Sequence, residues 1–600
     1  MRAFVLATMS ALLISGLPPT PVEPLPAQPM DRRGDRGGEN PDTICAPFLN
    51  GSFRDEYEGR QLTRTPRLGG VRPQSNYAPP PTIMPSAPPP PPPVSGTMAE
   101  DQIAVTGGRI ARPSPESRYR PLPPQPENRE RYDGEEVAAV QAVADAPVST
   151  FSVDVDTGSY ANVRRMLNQG QLPPQAAVRT EEMLNYFRYD YPRPADRSRP
   201  FSVNADMTLT PWNPDTRLLR VGLRGYDLPR NERPPANLVF LVDVSGSMDS
   251  IDKLPLVRCS LALLANRMQR QDRVSIVVYA GAAGLVLSPT SSRQVVMEAL
   301  ARLKAGGSTA GAEGIQLAYQ TARRGRIDGG INRVVLATDG DFNVGISNNE
   351  ALIDMVERER ESGITLTTLG FGTGNFNEAM MEQIADHGNG NYAYIDSPRE
   401  AQKVLDDELA STLFTIAHDV KIQVEFNPAY VREYRLIGYE NRALREEDFD
   451  NDTVDAGEIG AGHQVTAIYE IVPFGAYGWL PDRRYQANQR REPPGDPTGE
   501  MAFLRLRYKL PGEDQSRLIE QPVRAGLIRT AQQPTGDSAF AAAVAAYGQL
   551  LRGDTNMGRF TFADARALAE EGAGRNWWRQ EFVDLTRLAE RQRLAGGGSK

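Results

Sequence analysis

Residues 238–249 read LVFLVDVSGSMD: an apolar run stops in Asp243, Ser245 and Ser247, three oxygen-bearing side chains at alternate positions. Strand side chains alternate faces, so a D-x-S-x-S turn after a strand can aim three oxygens toward one point. Carboxylate and hydroxyl oxygens are hard ligands that suit Mg2+, Mn2+ or Ca2+ rather than zinc. Mg2+ takes about six oxygens and keeps several waters, so these residues alone cannot complete its shell. Other strand ends must contribute. LKAGGSTAGAEGIQLA (303–318) offers a Gly-rich turn with Ser308 and Thr309 ahead of a helical pattern, and RVVLATDGD (333–341) ends in Thr338, Asp339 and Asp341. A lone D-x-S-x-S is ordinary turn and N-cap chemistry. Three such loops together point to a metal.

The elements that must position these loops follow from apolar periodicity. From Pro235 onward, continuous apolar runs (LVFLVDV, RVSIVVYA, RVVLATD, ITLTTLGFG, NYAYID) alternate with helical patterns at 253–269, 293–304, 310–323, 348–362, 376–387 and 398–413. Unbroken apolar strands between helices predict a doubly wound, mostly parallel sheet, with ligands at the carboxyl ends of its strands. Asp243 and Asp339 both fall at such ends. On either side of this region the period becomes two. FSVNADMTLTPW and TRLLRVGLRGYDL precede it; DVKIQVEFN, GHQVTAIYEIVP and MAFLRLRYKLP follow it. That alternation predicts amphipathic antiparallel strands of one β-sandwich with the α/β domain inserted in it or flanked by it. From Asp537 the chain is helical, with Gly553 and Gly572 expected as helix ends.

D-x-S-x-S, a Gly-Gly-Ser-Thr turn and a strand ending T-D-G, in this order, resemble the three parts of the metal-ion-dependent adhesion site of von Willebrand factor type A domains, over roughly 236–415. The resemblance implies a Rossmann-like fold in which Ser245, Ser247 and Thr309 (or Ser308, one register away) bind Mg2+, with Mn2+ or Ca2+ as alternatives. It implies that Asp243 and Asp339 act mostly through waters, and that one position stays open for a partner's Asp or Glu. The role of Asp341 is open. The stretch STFSVDVDTGSYANVRRMLNQGQLPPQAAVRTEEMLNYFRYDYP and the C-terminal region further resemble the YfbK-like bacterial family, extending the match to about 148–595.

The organisation expected is a signal peptide (1–27), a disordered Pro-rich spacer (28–147), a leader with sandwich strands (148–234), the α/β domain (235–416), further sandwich (417–535), and C-terminal helices with a tail (536–600). Arg2 and the apolar run from Ala3 to Leu17, followed by prolines, carry the signal-peptide pattern. The spacer holds the run Pro88–Pro93, and its segment 101–113, DQIAVTGGRIARP, resembles the N-terminal segment of TonB-dependent receptors, which implies an envelope or TonB-system partner. The two cysteines, Cys45 and Cys259, are far apart and are expected as free thiols, with a disulfide the alternative. A net charge of −9 gives no basic face for nucleic acid.

Enzyme readings find little support. Ser245 has no glycine two residues before it, and the only histidines are His387, His418 and His463. Asp154-Val155-Asp156, the acidic stretch 450–458 and Arg552-Gly553-Asp554 are read as solvated acids, a solvated loop and a helix end. The expectation is an exported periplasmic or cell-surface protein, not an enzyme, whose metal captures an acidic partner residue. The alternatives are a co-chaperone of a ring ATPase and, less favoured, a metal-dependent hydrolase. Asp243 is expected to be a surface ligand.

Overall fold

The computed structural model describes residues 41–49, 130–132, 134–307, 311–340, 349–374, 376–481 and 498–596. The segment 101–113 and the residues Ser308, Thr309 and Asp341 lie outside the described residues.

The α/β domain is a six-stranded sheet in the order Tyr392–Ile395, Thr365–Phe371, Ile331–Thr338, Ala236–Asp243, Arg273–Tyr279, Ala283–Thr290. Every neighbouring pair is parallel except the last. All eight residues of Ala236–Asp243 are buried. Their alternation explains why: Leu238, Phe240 and Val242 pack on helix Leu254–Asn266, while Val239 and Leu241 pack with Ile315, Tyr319 and Val356 from the helices of the opposite face. A strand covered on both sides needs apolar residues on both, which is why the run reads as unbroken. The edge strand Ala283–Thr290 escapes sequence reading because Leu285 and Val286 are exposed there. The last expected helix, 398–413, is broken in three by a π turn at Lys403–Asp407.

Two antiparallel sheets form the sandwich. One runs Gln141–Ala142, Val431–Ile437, Gln464–Pro473, Asn213–Gly225, Phe201–Thr210; the other runs Ala443–Leu444, Val148–Ser152, Thr415–Phe426, Glu500–Lys509, Arg517–Arg524. Tyr434 and Tyr469 from the first meet Phe151 and Phe426 from the second, with ring centroids 4.5 Å apart for Phe426–Tyr434 and 5.3 Å for Phe426–Tyr469. Val221 pairs with Ala467 across the first sheet, so strands on either side of the α/β domain in sequence are neighbours in space. The α/β domain is an insertion in the sandwich. Arg517–Arg524, which sequence reading leaves out, is an edge strand that tolerates Pro522. Helices Gly536–Arg552, Phe562–Ala573 and Trp577–Gly596 bury their apolar faces with Tyr160, Leu184 and Phe187 of the leader.

Several expectations change. Gly553 ends its helix in the left-handed region, as expected, but Gly572 lies inside a helix, packed so closely on Gly536 and Phe540 that no side chain fits. Within the stretch assigned to the spacer, Pro41–Cys45 is helical with Ile44, Cys45 and Phe48 buried, and Gln141–Ala142 is paired in the sandwich. The cysteines are not free: Cys45 and Cys259 form a disulfide across 214 residues, with Cα atoms 4.7 Å apart. Sequence distance says nothing about spatial distance, and the 41–49 segment is held on helix Leu254–Asn266 by this bond and by Arg258 over the Phe48 ring. Alkylation of the denatured, unreduced protein should therefore find no free thiol, and two after reduction. Two free thiols before reduction would refute the bond.

Candidate metal centre

The strand Ala236–Asp243 ends where the chain must turn away from the sheet, and the turn is built by its own polar groups. Asp243 Oδ1 accepts from the Ser245 backbone N–H at 2.8 Å, and Asp243 Oδ2 accepts from the Thr338 hydroxyl on the adjacent strand at 3.0 Å. Ser245 Oγ and Ser247 Oγ lie 3.0 Å apart. The two hydroxyls are hydrogen-bonded to each other, and the same 3.0 Å is the separation of two neighbouring ligands at about 2.1 Å on an octahedral ion. Both Asp243 oxygens are already engaged, which suits a carboxylate that holds the loop and reaches an ion through water.

The Gly-rich turn reaches the same place. Gly306 N–H donates to Val244 O at 2.8 Å, and Gly246 N–H donates to Gly307 O at 3.0 Å. Gly306 and Gly307 have φ of +159° and +97°; at Gly307 a side chain would be strained. These two bonds bind the turn that leads to Ser308 and Thr309 against the D-x-S-x-S loop. At the third loop, Gly340 (φ +85°) donates its N–H to the Thr338 hydroxyl at 3.2 Å. A Cβ there would lie 2.6 Å from the Asn377 nitrogen, so glycine is required. Of the expected site residues, Asp243, Ser245, Ser247 and Asp339 thus stand at adjoining strand ends. The donor set is all oxygen, and it fits a hard divalent cation.

Asp243 is not at the surface. It and Asp339 are both fully buried. Burial raises the Asp243 carboxyl to about 6, with the Asp339 charge adding to the rise and the Ser245 and Thr338 hydrogen bonds opposing it. Lys253, which sequence reading passes over, answers the second carboxylate: its Nζ lies 2.8 Å from Asp339 Oδ2, and the lysine side chain is itself buried. No motif announces this lysine; it simply precedes the helix that starts at Leu254.

The other acidic candidates have structural partners. Asp154 and Asp156 are buried, not solvated. Asp154, Glu182 and Glu382 bring carboxylate oxygens within 4.8 Å of one another. Guanidinium groups fill that space: Arg179 Nη2 reaches Glu382 Oε2 at 2.8 Å and Arg442 Nη2 reaches Glu382 Oε1 at 2.9 Å, with Arg442 also pairing Asp154, Asp156 and Asp386. This network ties the leader to helix Glu378–His387 and to the segment after Ile437. Acids outnumber arginines there, and burial raises Glu181, Glu378 and Glu382 to about 7 and Glu182 well above its ordinary range. In the 450–458 stretch, Asp452 pairs with Arg507 and Asp455 with Arg360. In the Arg552-Gly553-Asp554 triplet, Arg552 pairs with Glu440 and Asp554 with Arg435. His387 pairs with Glu357, and His463, pushed down to about 3 by burial, accepts from the Gly460 N–H.

Strand order, inserted loops and oxygen donors together define a von Willebrand factor type A domain protein, and the family model described as von Willebrand factor type A domain matches residues 237–407. The model described as von Willebrand factor matches 126–220, and that described as Uncharacterized protein YfbK, C-terminal, matches 411–592. The chain is 47% identical over 470 residues to Uncharacterized protein YfbK of Escherichia coli, covering 77% of this chain and 81% of that one. It belongs to the YfbK family. Uncharacterized protein sll0103 of Synechocystis is 32% identical over 187 residues, 31% of this chain and 43% of that protein. Among solved structures, the von Willebrand factor type A protein from Catenulispora acidiphila aligns with 67% of this chain and 91% of its own at 17% identity and a TM-score of 0.37. Domains of this class mediate protein–protein interactions, and this chain carries one.

The buried acids set a pH dependence. Glu378 Oε1 accepts from Asn162 at 3.0 Å, while Oε2 has no hydrogen-bond partner. Its folded pKa, about 7, exceeds the ordinary 4.5. Stability from its protonated form is therefore fully present below the unfolded value and is lost as pH rises through about 7. Glu378→Gln, neutral throughout, should be more stable than the wild type at pH 8 by on the order of 1–3 kcal/mol, and near parity with it at acidic pH. Denaturant unfolding at the two pH values checks this; parallel pH profiles would show that Glu378 is ionised at neutral pH at little cost.

Proposed function

We propose that this chain is a metal-ion-dependent interaction module of the bacterial cell envelope, which captures an Asp or Glu side chain of a protein partner. The observation that carries the reading is the convergence of Asp243, Ser245, Ser247 and Asp339 on adjoining strand ends, with the two serine hydroxyls one octahedral edge apart. Ser245 and Ser247, with Thr309 or Ser308 from the turn tied to them, would hold Mg2+, or else Mn2+ or Ca2+; Asp243 and Asp339 would stand behind as water-linked acids. A bound ion of this kind supplies a Lewis acid with an exchangeable position that a carboxylate can fill.

Export is part of the proposal. The apolar run Ala3–Leu17 behind Arg2 and the Cys45–Cys259 disulfide both favour an oxidising compartment. Among the described residues no helix is long and apolar enough to cross a membrane. A role beside a ring ATPase, the second reading, needs cytoplasmic ATP and fits the disulfide poorly. Catalysis is not part of the proposal: the D-x-S-x-S loop is no nucleophile elbow, and His387, His418 and His463 face Glu357, Glu458 and the Gly460 N–H.

The test is thermal unfolding with Mg2+, Mn2+, Ca2+ or EDTA. Binding to the native state alone stabilises by about 2.7 kcal/mol at 100 times the dissociation constant. Asp243→Asn, which keeps an acceptor for Ser245 and the buried volume, should abolish the metal response and leave the apo fold intact. A response retained in the variant would remove Asp243 from the site; no response in the wild type would sink the metal reading.

A further inference from the structure

Lys253 is built into the site rather than placed near it. Its Nζ reaches Asp339 Oδ2 at 2.8 Å, and its stem is buried. Gly372 (φ +73°), just after the strand Thr365–Phe371, makes room for that stem: a Cβ there would collide with Lys253 Cγ and Cε. The lysine also stands at the N-terminal end of helix Leu254–Asn266, where a cation opposes the helix dipole. A buried ammonium in that position persists because it answers a buried carboxylate. Lysine is a compact point charge, and in a low-dielectric interior its charge is felt by every ion beside it.

The consequence is a matter of charge. Lys253 places one positive charge beside the carboxylates Asp243 and Asp339, so at every stage of loading the site is one unit more positive than it would be without the lysine. That charge weakens a divalent ion by repulsion and favours an incoming carboxylate; its removal tightens the ion and disfavours the carboxylate. On the reading that these strand ends hold a divalent cation, we infer that Lys253 is the positioning residue that sets the charge of the loaded site. It gives up metal affinity so that the bound ion retains attraction for one acidic ligand.

The test uses the full chain, with Mn2+ alone as the first probe and acetate as the carboxylate probe. Lys253→Met should lower the Mn2+ concentration at half-maximal thermal stabilisation by about tenfold or more, the effect of removing one like charge beside the ion. At saturating Mn2+, acetate should raise the wild-type midpoint beyond chloride at equal ionic strength and should not do so in Lys253→Met. Lys253→Arg, which keeps the charge, should follow the wild type. Should Lys253→Met fail to fold, Lys253→Gln carries the same expectation. A wild type that responds to Mn2+ beside a variant with an unchanged or weaker midpoint would overturn the inference, because a lysine that only braces the loop lowers stability without tightening the metal. Acetate stabilisation retained in the variant would overturn the carboxylate half. No Mn2+ response in either protein would instead overturn the metal reading itself, and this inference with it.

Discussion

Two carboxylates buried at the ends of adjoining parallel strands are the constraint from which the rest of the site follows. Asp243 and Asp339 are out of water, and the Asp339 charge adds to the cost of ionising Asp243. Such a pair stands only where donors and cations converge on it. The Ser245 N–H, the Thr338 hydroxyl and the Lys253 ammonium supply that convergence, and each comes from a different element. The glycines serve the same end: Gly307, Gly340 and Gly372 let three loops approach one point where side chains would keep them apart. A doubly wound sheet is the economical way to bring these elements together, because each strand delivers its carboxyl end to one edge.

The leader follows the same physics with a different outcome. There the buried acids meet Arg179 and Arg442, whose planar forks bind two or more carboxylates each, and the result is a joint. Glu382 sits on a helix of the inserted domain, Arg179 in the leader, and Arg442 beyond the sandwich strand Val431–Ile437. Three regions distant in sequence are thus fastened at one charged point. At Asp339 a single lysine answers the buried carboxylate, whereas in the leader two arginines thread the acids together.

Legibility in the sequence divided along physical lines. The parallel strands were legible because burial on both faces forces unbroken apolar runs, and the sandwich strands because burial on one face forces alternation. The nesting of one domain in the other could be read from the return of that alternation after Ala417. Strand-end oxygens at Asp243, Ser245, Ser247 and Asp339 were legible because short spacing in a turn dictates direction. Ala283–Thr290 and Arg517–Arg524 were not, since edge strands need little apolar pattern. Lys253 and the burial of Asp154 and Asp156 were invisible, and the Cys45–Cys259 bond stood only as an alternative, for a common reason. Each depends on a partner tens or hundreds of residues away, and local pattern carries no such information.

The disulfide also fixes a path for mechanical load. Cys45 is joined to Cys259 in helix Leu254–Asn266, so tension applied ahead of Cys45 passes straight into that helix. The leader, the first sandwich strands and the strand Ala236–Asp243 all lie within the covalent loop and are bypassed. The helix that receives the pull begins one residue after Lys253, whose ammonium rests on Asp339. A chain tethered by its N-terminal side would therefore feel traction first at the element that borders its carboxylate pair.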